Sequence, residues 1–217
     1  MATDSIIAGE IAVRAAAIAS RQVPVVVAPV VPFGNSHHHL IYCALSLRSS
    51  TYVSLLGDLV DCAVQAGFRR LFFLNSHGGN DEAIRMIARD QVLRSEVTIG
   101  AGSYWAIAQD ALRAVELDPN WGLPGHAGGF ETSLMMALRP DLVRREHMPD
   151  DTSHPGSISN QGIAPGMLVV RNGEWKRING YSDAPVGANA GTGQRVIQVI
   201  TAEVARAIVA FHQAAGS

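Results

Sequence analysis

Two polar clusters in this 217-residue chain hold residue types that can do chemistry. The first is Asn75-Ser76-His77-Gly78-Gly79-Asn80, and the second is Gly125-His126-Ala127-Gly128-Gly129-Phe130-Glu131-Thr132-Ser133. Each sets a histidine among glycines, and the second adds a carboxylate five residues after its histidine. Histidine and carboxylate side chains delivered to a sheet edge form a donor set that a divalent metal such as Zn or Mn accepts. A metal there would polarise a carbonyl and lower the pKa of a bound water, the chemistry of assisted hydrolysis. A third stretch, Pro32-Phe33-Gly34-Asn35-Ser36-His37-His38-His39, adds three successive histidines. In extended chain, successive side chains point to opposite faces, so at most one or two of these can serve one site. Spacing alone also admits a plainer reading. His77 is then an exposed turn residue, His126 a loop residue, and Glu131 a first-turn carboxylate favoured by the helix dipole.

These clusters need elements to position them. Leu71-Phe72-Phe73-Leu74, directly ahead of the first cluster, reads as a strand buried on both faces. Its end opens at the C-terminal edge of a parallel sheet, where open α/β folds bind ligands. Gly78 and Gly79 let backbone approach a ligand closely, while Asn75 and Asn80 tie down the turn and Asn80 caps the helix expected over 81–93. Ile7, Ile11, Ala15 and Ile18 recur at helical spacing, with Thr3, Asp4 and Ser5 ahead as possible caps. Residues 23–31 read as a buried strand with prolines near its ends. A helix over 51–66 closes at Gly67, a second strand covers 97–103, and residues 106–115 read as helix. Tyr104 and Trp105 follow the second strand, where a substrate could stack. An apolar helix runs to Leu138 and stops at Pro140. The glycine-, proline- and serine-rich region 150–189 carries an expected hairpin, 167–171 and 175–178 about Asn172-Gly173. An amphipathic helix over 194–213 closes the chain. Strands alternating with helices predict an α/β fold, a three-layer α/β/α sandwich with a mostly parallel sheet, in one domain over 1–217.

Composition removes several function classes. A net charge of −2 leaves no electrostatic footprint for nucleic acid or an anionic membrane, and no apolar run reaches the ~18 residues of a membrane span. The start lacks the basic region of a signal peptide. Cys43 and Cys62 have neither metal nor redox spacing, so the expected setting is reduced and cytoplasmic. Charged residues make up 17% of the chain, against a usual ~25%, which points to surface buried in a homo-oligomer.

The motifs themselves closely resemble the creatininase (creatinine amidohydrolase) family. Its signatures N-G-H-G-G-N and H-A-G-x-x-E-T-S match 75–80 and 126–133, with Ser76 in place of a glycine. Residues 28–39 look like its A-P-x-x-P-Y-G-x-S-x-x-H loop, Thr3-Asp4-Ser5-Ile6-Ile7-Ala8 resembles G-T-D-x-x-I-A, and residues 188–193 match a weaker segment. The resemblance implies a metal-dependent amidohydrolase that opens a C–N bond of a small cyclic or linear amide with a metal-activated water. It implies Zn or Mn, with Fe as a further option, held by Asp4, His77 and Glu131, and proton handling by His126 and Glu131. Glu131 is included because Gly79 occupies the place of a metal-binding glutamate in creatininase. Substrate contacts are expected from His39, Ser76 and Gly78, with Trp105 and Trp121 available to stack. The family's symmetric oligomers imply a hexamer. Its E-x-H ligand pair falls ahead of Met1, so one metal is expected to bind better than two, with Asp4 prone to fray. A catalytically impaired homologue, binding a small ligand or serving as a structural subunit, is the rival reading. A nucleotide-binding turn is disfavoured, because G-x-G-x-x-G and a Walker lysine are absent.

Overall fold

A computed structural model describes residues 2–149, 167 and 169–216. They form two compact units. The first comprises Met1–Leu40, Ala44–Ala114 and Ile197–Ser217, and the second Ile41–Cys43 and Val115–Val196.

In the first unit, α1 (Thr3–Ala19) buries Ile7, Ile11, Ala15, Ala16 and Ala19, and Arg14 pairs with Glu10 on its outer face at 3.0 Å. Ala2 occupies the cap position, so Thr3, Asp4 and Ser5 lie inside the first turn rather than capping it. α2 (Ser49–Gln65) buries Tyr52, Leu56 and Val60, and Gly67 ends it at φ 95°, the left-handed stop that glycine adopts without strain. β1 (Arg70–Asn75) and β2 (Thr98–Ser103) pair in parallel, from Arg70 opposite Thr98 to Asn75 opposite Ser103. α3 (Asp81–Gln91) connects them.

Side-chain alternation along β1 makes the layers. Phe73 and Ala101 pack on a cluster of Tyr52 and Leu56 from α2 with Ile84 and Ile87 from α3. Burial of Leu56, Ile84 and Ile87 stabilises this layer by roughly 1.5–3 kcal/mol each. On the opposite face, Phe72 meets Phe211 of α8 (Ala190–Ala214), with ring centroids 5.8 Å apart. Gly100 lies between them, where a Cβ would come within 2.7 Å of Phe72. Helix, sheet and helix thus stack as an α/β sandwich. Residues 71–74 are half-buried, because a two-stranded sheet covers less of each face than a wide one.

Three sequence expectations need correction. Residues 23–31 form no strand, and Val26 is 76% exposed. Pro24 and Pro29 each remove a ladder donor, and no described strand pairs with the segment. The helix expected over 106–115 is two short ones, α4 (Tyr104–Ile107) and α5 (Gln109–Arg113), joined at Ala108. The hairpin is absent among the described residues, Leu168 lying outside them. Gly173 does turn at φ 76°, but it opens a single helical turn, α7 (Glu174–Arg177), rather than a return strand.

The second unit centres on α6 (Gly129–Leu138), which buries Phe130, Leu134, Met135 and Met136. Among the described residues, no helix is long and apolar enough to cross a membrane, and Cys43 and Cys62 are free thiols.

Candidate metal centre and His126 loop

His77 leaves the end of β1 in extended conformation, φ −133° and ψ 123°, at the carboxyl edge of the parallel pair. Its backbone is fixed by Asn75, whose amide accepts the His77 N–H at 3.1 Å and donates to the His77 carbonyl at 2.8 Å. Asn75 also donates to the Ser103 hydroxyl at 2.9 Å, and that hydroxyl donates to Asp81 at 2.6 Å. The two strand ends and the start of α3 are therefore locked together beneath the histidine. Burial works to raise the Asp81 pKa, but hydrogen bonds from Arg85 and Ser103, with the Arg85 charge, outweigh it and hold the carboxyl below its usual range.

The His77 ring is 8% exposed and engaged on both nitrogens. Nδ1 lies 3.0 Å from Asp4 Oδ2, while Nε2 lies 3.1 Å from the Ser36 hydroxyl and 3.2 Å from the Asn35 carbonyl. A carboxylate only accepts, so Nδ1 carries the proton toward Asp4, while Nε2 lies between a hydroxyl, which can donate or accept, and a carbonyl, which only accepts. Asp4 does not fray. The Ser76 hydroxyl, which a glycine would lack, donates to the Asp4 carbonyl at 2.7 Å.

The three histidines correct the sequence reading. His37–Tyr42 is a 3-10 helix, not extended chain, so His38 and His39 do not diverge. His38 stacks on His77 at 5.4 Å with planes 3° apart, and His39 meets His77 edge-on at 5.6 Å. Ligating nitrogens of His38, His39 and His77 all lie within 4.8 Å of one another. Gly78 has open space where a Cβ would point, and Asn80 accepts the Asn35 N–H at 2.8 Å instead of capping α3. Trp105, after β2, is half-buried with its ring edge-on to Tyr104.

In the second unit, the loop before α6 carries His126. Ala127 adopts φ 52°, and its N–H meets Glu131 Oε2 at 2.6 Å. One oxygen of Glu131 thus closes the start of its own helix. Asp183, missed in the sequence, underlies the loop. It is 6% exposed and accepts from the Gly129 N–H at 2.9 Å and the Ser182 hydroxyl at 2.8 Å. Ser182 also accepts the His126 N–H at 2.6 Å. A Cβ on Gly122, Gly125 or Gly128 would press on the Asp183 carboxylate. Nothing in the sequence marked this acid beyond its place among glycines. His126 meets Trp175 edge-on at 5.0 Å and lines a cavity of about 540 Å³ with Tyr42, His147, Asn179 and Tyr181. Trp121 does not line it. Its ring covers Gly129, and its N–H donates to the Val186 carbonyl at 3.1 Å.

The chain's relatives agree with this architecture. The family model for creatininase, creatinine amidohydrolase, matches residues 1–208. Creatinine amidohydrolase of Pseudomonas putida is 32% identical over 122 residues, covering 51% of this chain and 45% of that protein. Mycofactocin precursor peptide peptidase of Mycobacterium ulcerans (strain Agy99) is 27% identical over 175 residues, 78% of this chain and 60% of the relative. The chain thus spans only about half the length of these relatives. A crystal structure from Bacteroides fragilis NCTC 9343, provisionally assigned as a creatinine amidohydrolase, superposes with TM-score 0.77 at 30% identity. It covers 97% of this chain and 82% of its own. A manganese creatininase and a Zn–Zn creatininase mutant each share the fold at TM-score 0.70, with 23% and 22% identity. Each covers 96% of this chain and 82% of its own. Sequence match and fold together place this chain in the creatininase family.

Proposed function

We propose that this chain is a metal-dependent amidohydrolase that cleaves a C–N bond of a small cyclic or linear amide. The observation that carries the reading is His77, a buried imidazole backed by Asp4 and ringed by His38 and His39. Imidazole and carboxylate donors suit a divalent cation of the Zn or Mn kind, and relatives of this fold include Zn and Mn forms. The names of the curated relatives, one acting on creatinine and one on a peptide, share hydrolysis of an amide-type C–N bond.

A bound divalent cation supplies Lewis acidity toward a carbonyl and a water of lowered pKa. The chain's own residues hold and orient. Asp4 fixes the His77 ring, and Ser76 fixes Asp4. We assign proton transfer to His126, which opens on a cavity with polar and aromatic walls. Glu131 is the carboxylate of this reading, with one oxygen securing the His126 loop through Ala127.

The test is hydrolysis of creatinine, lactams, linear amides and short peptides by the chain loaded with Zn²⁺ or Mn²⁺. His126→Ala is expected to lower kcat by about 10²–10⁴-fold, the usual worth of a general acid–base group, with metal content unchanged. Bound metal without turnover on any of the four classes would instead favour a catalytically silent ligand binder, a reading to which the absence of a carboxylate at Gly79 lends some weight.

A further inference from the structure

We infer that the cavity beside His126 is a subsite for an uncharged aromatic group, so that the amides this chain cleaves carry an aryl substituent. This deepens the amidohydrolase reading above and rests on it for the bond that breaks. The grounds for the subsite itself lie within the second unit, to which Tyr42 belongs together with residues 115–196. The phenol rings of Tyr42 and Tyr181 stand in the wall with the imidazoles of His126 and His147. No Asp, Glu, Lys or Arg is among the described residues that line it. A charged group entering there would lose water without gaining an ionic partner. A flat neutral ring would instead gain aromatic neighbours.

Tyr42 is seated by the backbone turn opposite it. Its hydroxyl donates to the Trp175 carbonyl at 3.1 Å, and the same carbonyl accepts the Gly180 N–H at 3.0 Å. Its ring lies against Gly180, where a Cβ would come within 2.6 Å of Tyr42 Cε2 and 2.9 Å of Cδ2 and Cζ. Gly180 has φ 80° and Asn179 before it φ 52°, successive left-handed positions held by the two residue types that adopt them most readily. Ile178, wholly buried, anchors the turn. Even so, Tyr42 remains 44% exposed. A ring already fixed in place loses little freedom when a ligand covers it, so this surface is pre-organised for stacking.

Size and position complete the inference. About 540 Å³ falls within the roughly 300–1,000 Å³ of small-molecule sites. A small unsubstituted lactam would leave much of that volume to water, and an added benzyl group would fill it. His126 stands in the same wall, which sets the aromatic group beside the bond being cleaved.

The experiment compares N-benzylacetamide with N-butylacetamide and with anionic N-(para-carboxybenzyl)acetamide on the chain loaded with Zn²⁺. Binding is read by calorimetry and saturation-transfer NMR, and cleavage by initial rates. The benzyl amide is expected to bind about tenfold more tightly than the butyl amide, and the carboxybenzyl amide no more tightly than the butyl. Tyr42→Leu and Tyr181→Leu keep apolar bulk but lose a ring. Each should cut the preference for benzyl by about 2–12-fold, the worth of an aromatic pair, with the change in KM rather than kcat. Tyr42→Phe keeps the ring and should keep most of the preference. Thermal melts establish that each variant is folded, and NMR on the unsubstituted chain depends on no variant. Equal binding of benzyl and butyl amides by the unsubstituted chain, or binding of neither, overturns the subsite. So does a preference that folded Tyr42→Leu and Tyr181→Leu both retain. Cleavage of the two amides at equal kcat/KM overturns the subsite and leaves the amidohydrolase standing. Tyr42-dependent binding of the benzyl amide, with no amide cleaved, leaves the subsite and overturns the amidohydrolase.

Discussion

Asp183 shows how one side chain can hold a loop. Its carboxylate receives the Gly129 N–H and the Ser182 hydroxyl, and three glycines lie so close to it that none could bear a Cβ unmoved. A buried N–H left without an acceptor costs about 1–3 kcal/mol. Asp183→Ala should therefore lower stability by about that much, which for a chain of this size is a fall in Tm of about 2–4 °C per kcal/mol. Thermal melts check this, and an unchanged Tm would mean that water replaces the carboxylate without loss. The convergence of His38 with His39 on His77 and the role of Asp183 were not legible in the sequence, for different reasons. Alternation governs extended chain, and the three histidines are wound into a 3-10 turn instead. Asp183 stands 54 residues from the Gly129 N–H it accepts, and no local pattern encodes such a distance. His77, by contrast, was legible because strand, glycine turn and helix follow one another in a few residues.

At the scale of elements, the two strand ends and α3 are joined through one hydroxyl. Ser103 accepts from Asn75 and donates to Asp81, while Arg85, one turn along α3, donates to Asp81 at 2.8 Å. Burial alone would raise the Asp81 pKa, and these bonds lower it on balance. A carboxyl whose folded pKa lies below its unfolded value, about 3.9, contributes stability that is fully present above that value. The contribution is lost as pH falls through the lowered folded pKa. Urea midpoints followed from pH 5 downward should thus decline below about pH 4, and Asp81→Asn should decline less steeply over the same window. Ser103→Ala removes one of the lowering bonds, so its decline should be smaller and level off at a higher pH than in the unsubstituted chain. Superposable curves for all three would show that Asp81 titrates alike folded and unfolded. The elements themselves were mostly legible, since α1, α2, α3 and both strands fall within a few residues of where periodicity put them. Residues 23–31 misled because an apolar run reports burial without saying what covers it. The run has the composition of a strand and, among the described strands, no partner.

For the whole molecule, that same run bears on assembly. Val26 is 76% exposed, and Leu93, Leu45 and Val13 are 85%, 65% and 60% exposed. Single apolar residues at a surface are ordinary, but Val26, Val27 and Val30 are all exposed within five residues of one segment. With charged residues at only 17% of the sequence, less charge than usual remains to keep copies apart. These features predict self-association into a closed symmetric homo-oligomer; the hexamer is what the family resemblance, rather than these surfaces, leads one to expect. Light scattering at micromolar concentration should give a mass that is a multiple of the 23.1 kDa chain. Val26→Asp puts a charge on the exposed run, where burying it against another copy would be costly. This variant should shift the population toward the monomer without reducing metal binding, since the substitution lies outside the His38, His39 and His77 cluster. A monomer mass for the unsubstituted chain at that concentration would remove the prediction. An oligomer indifferent to Val26→Asp would move the interface to another of the exposed apolar positions.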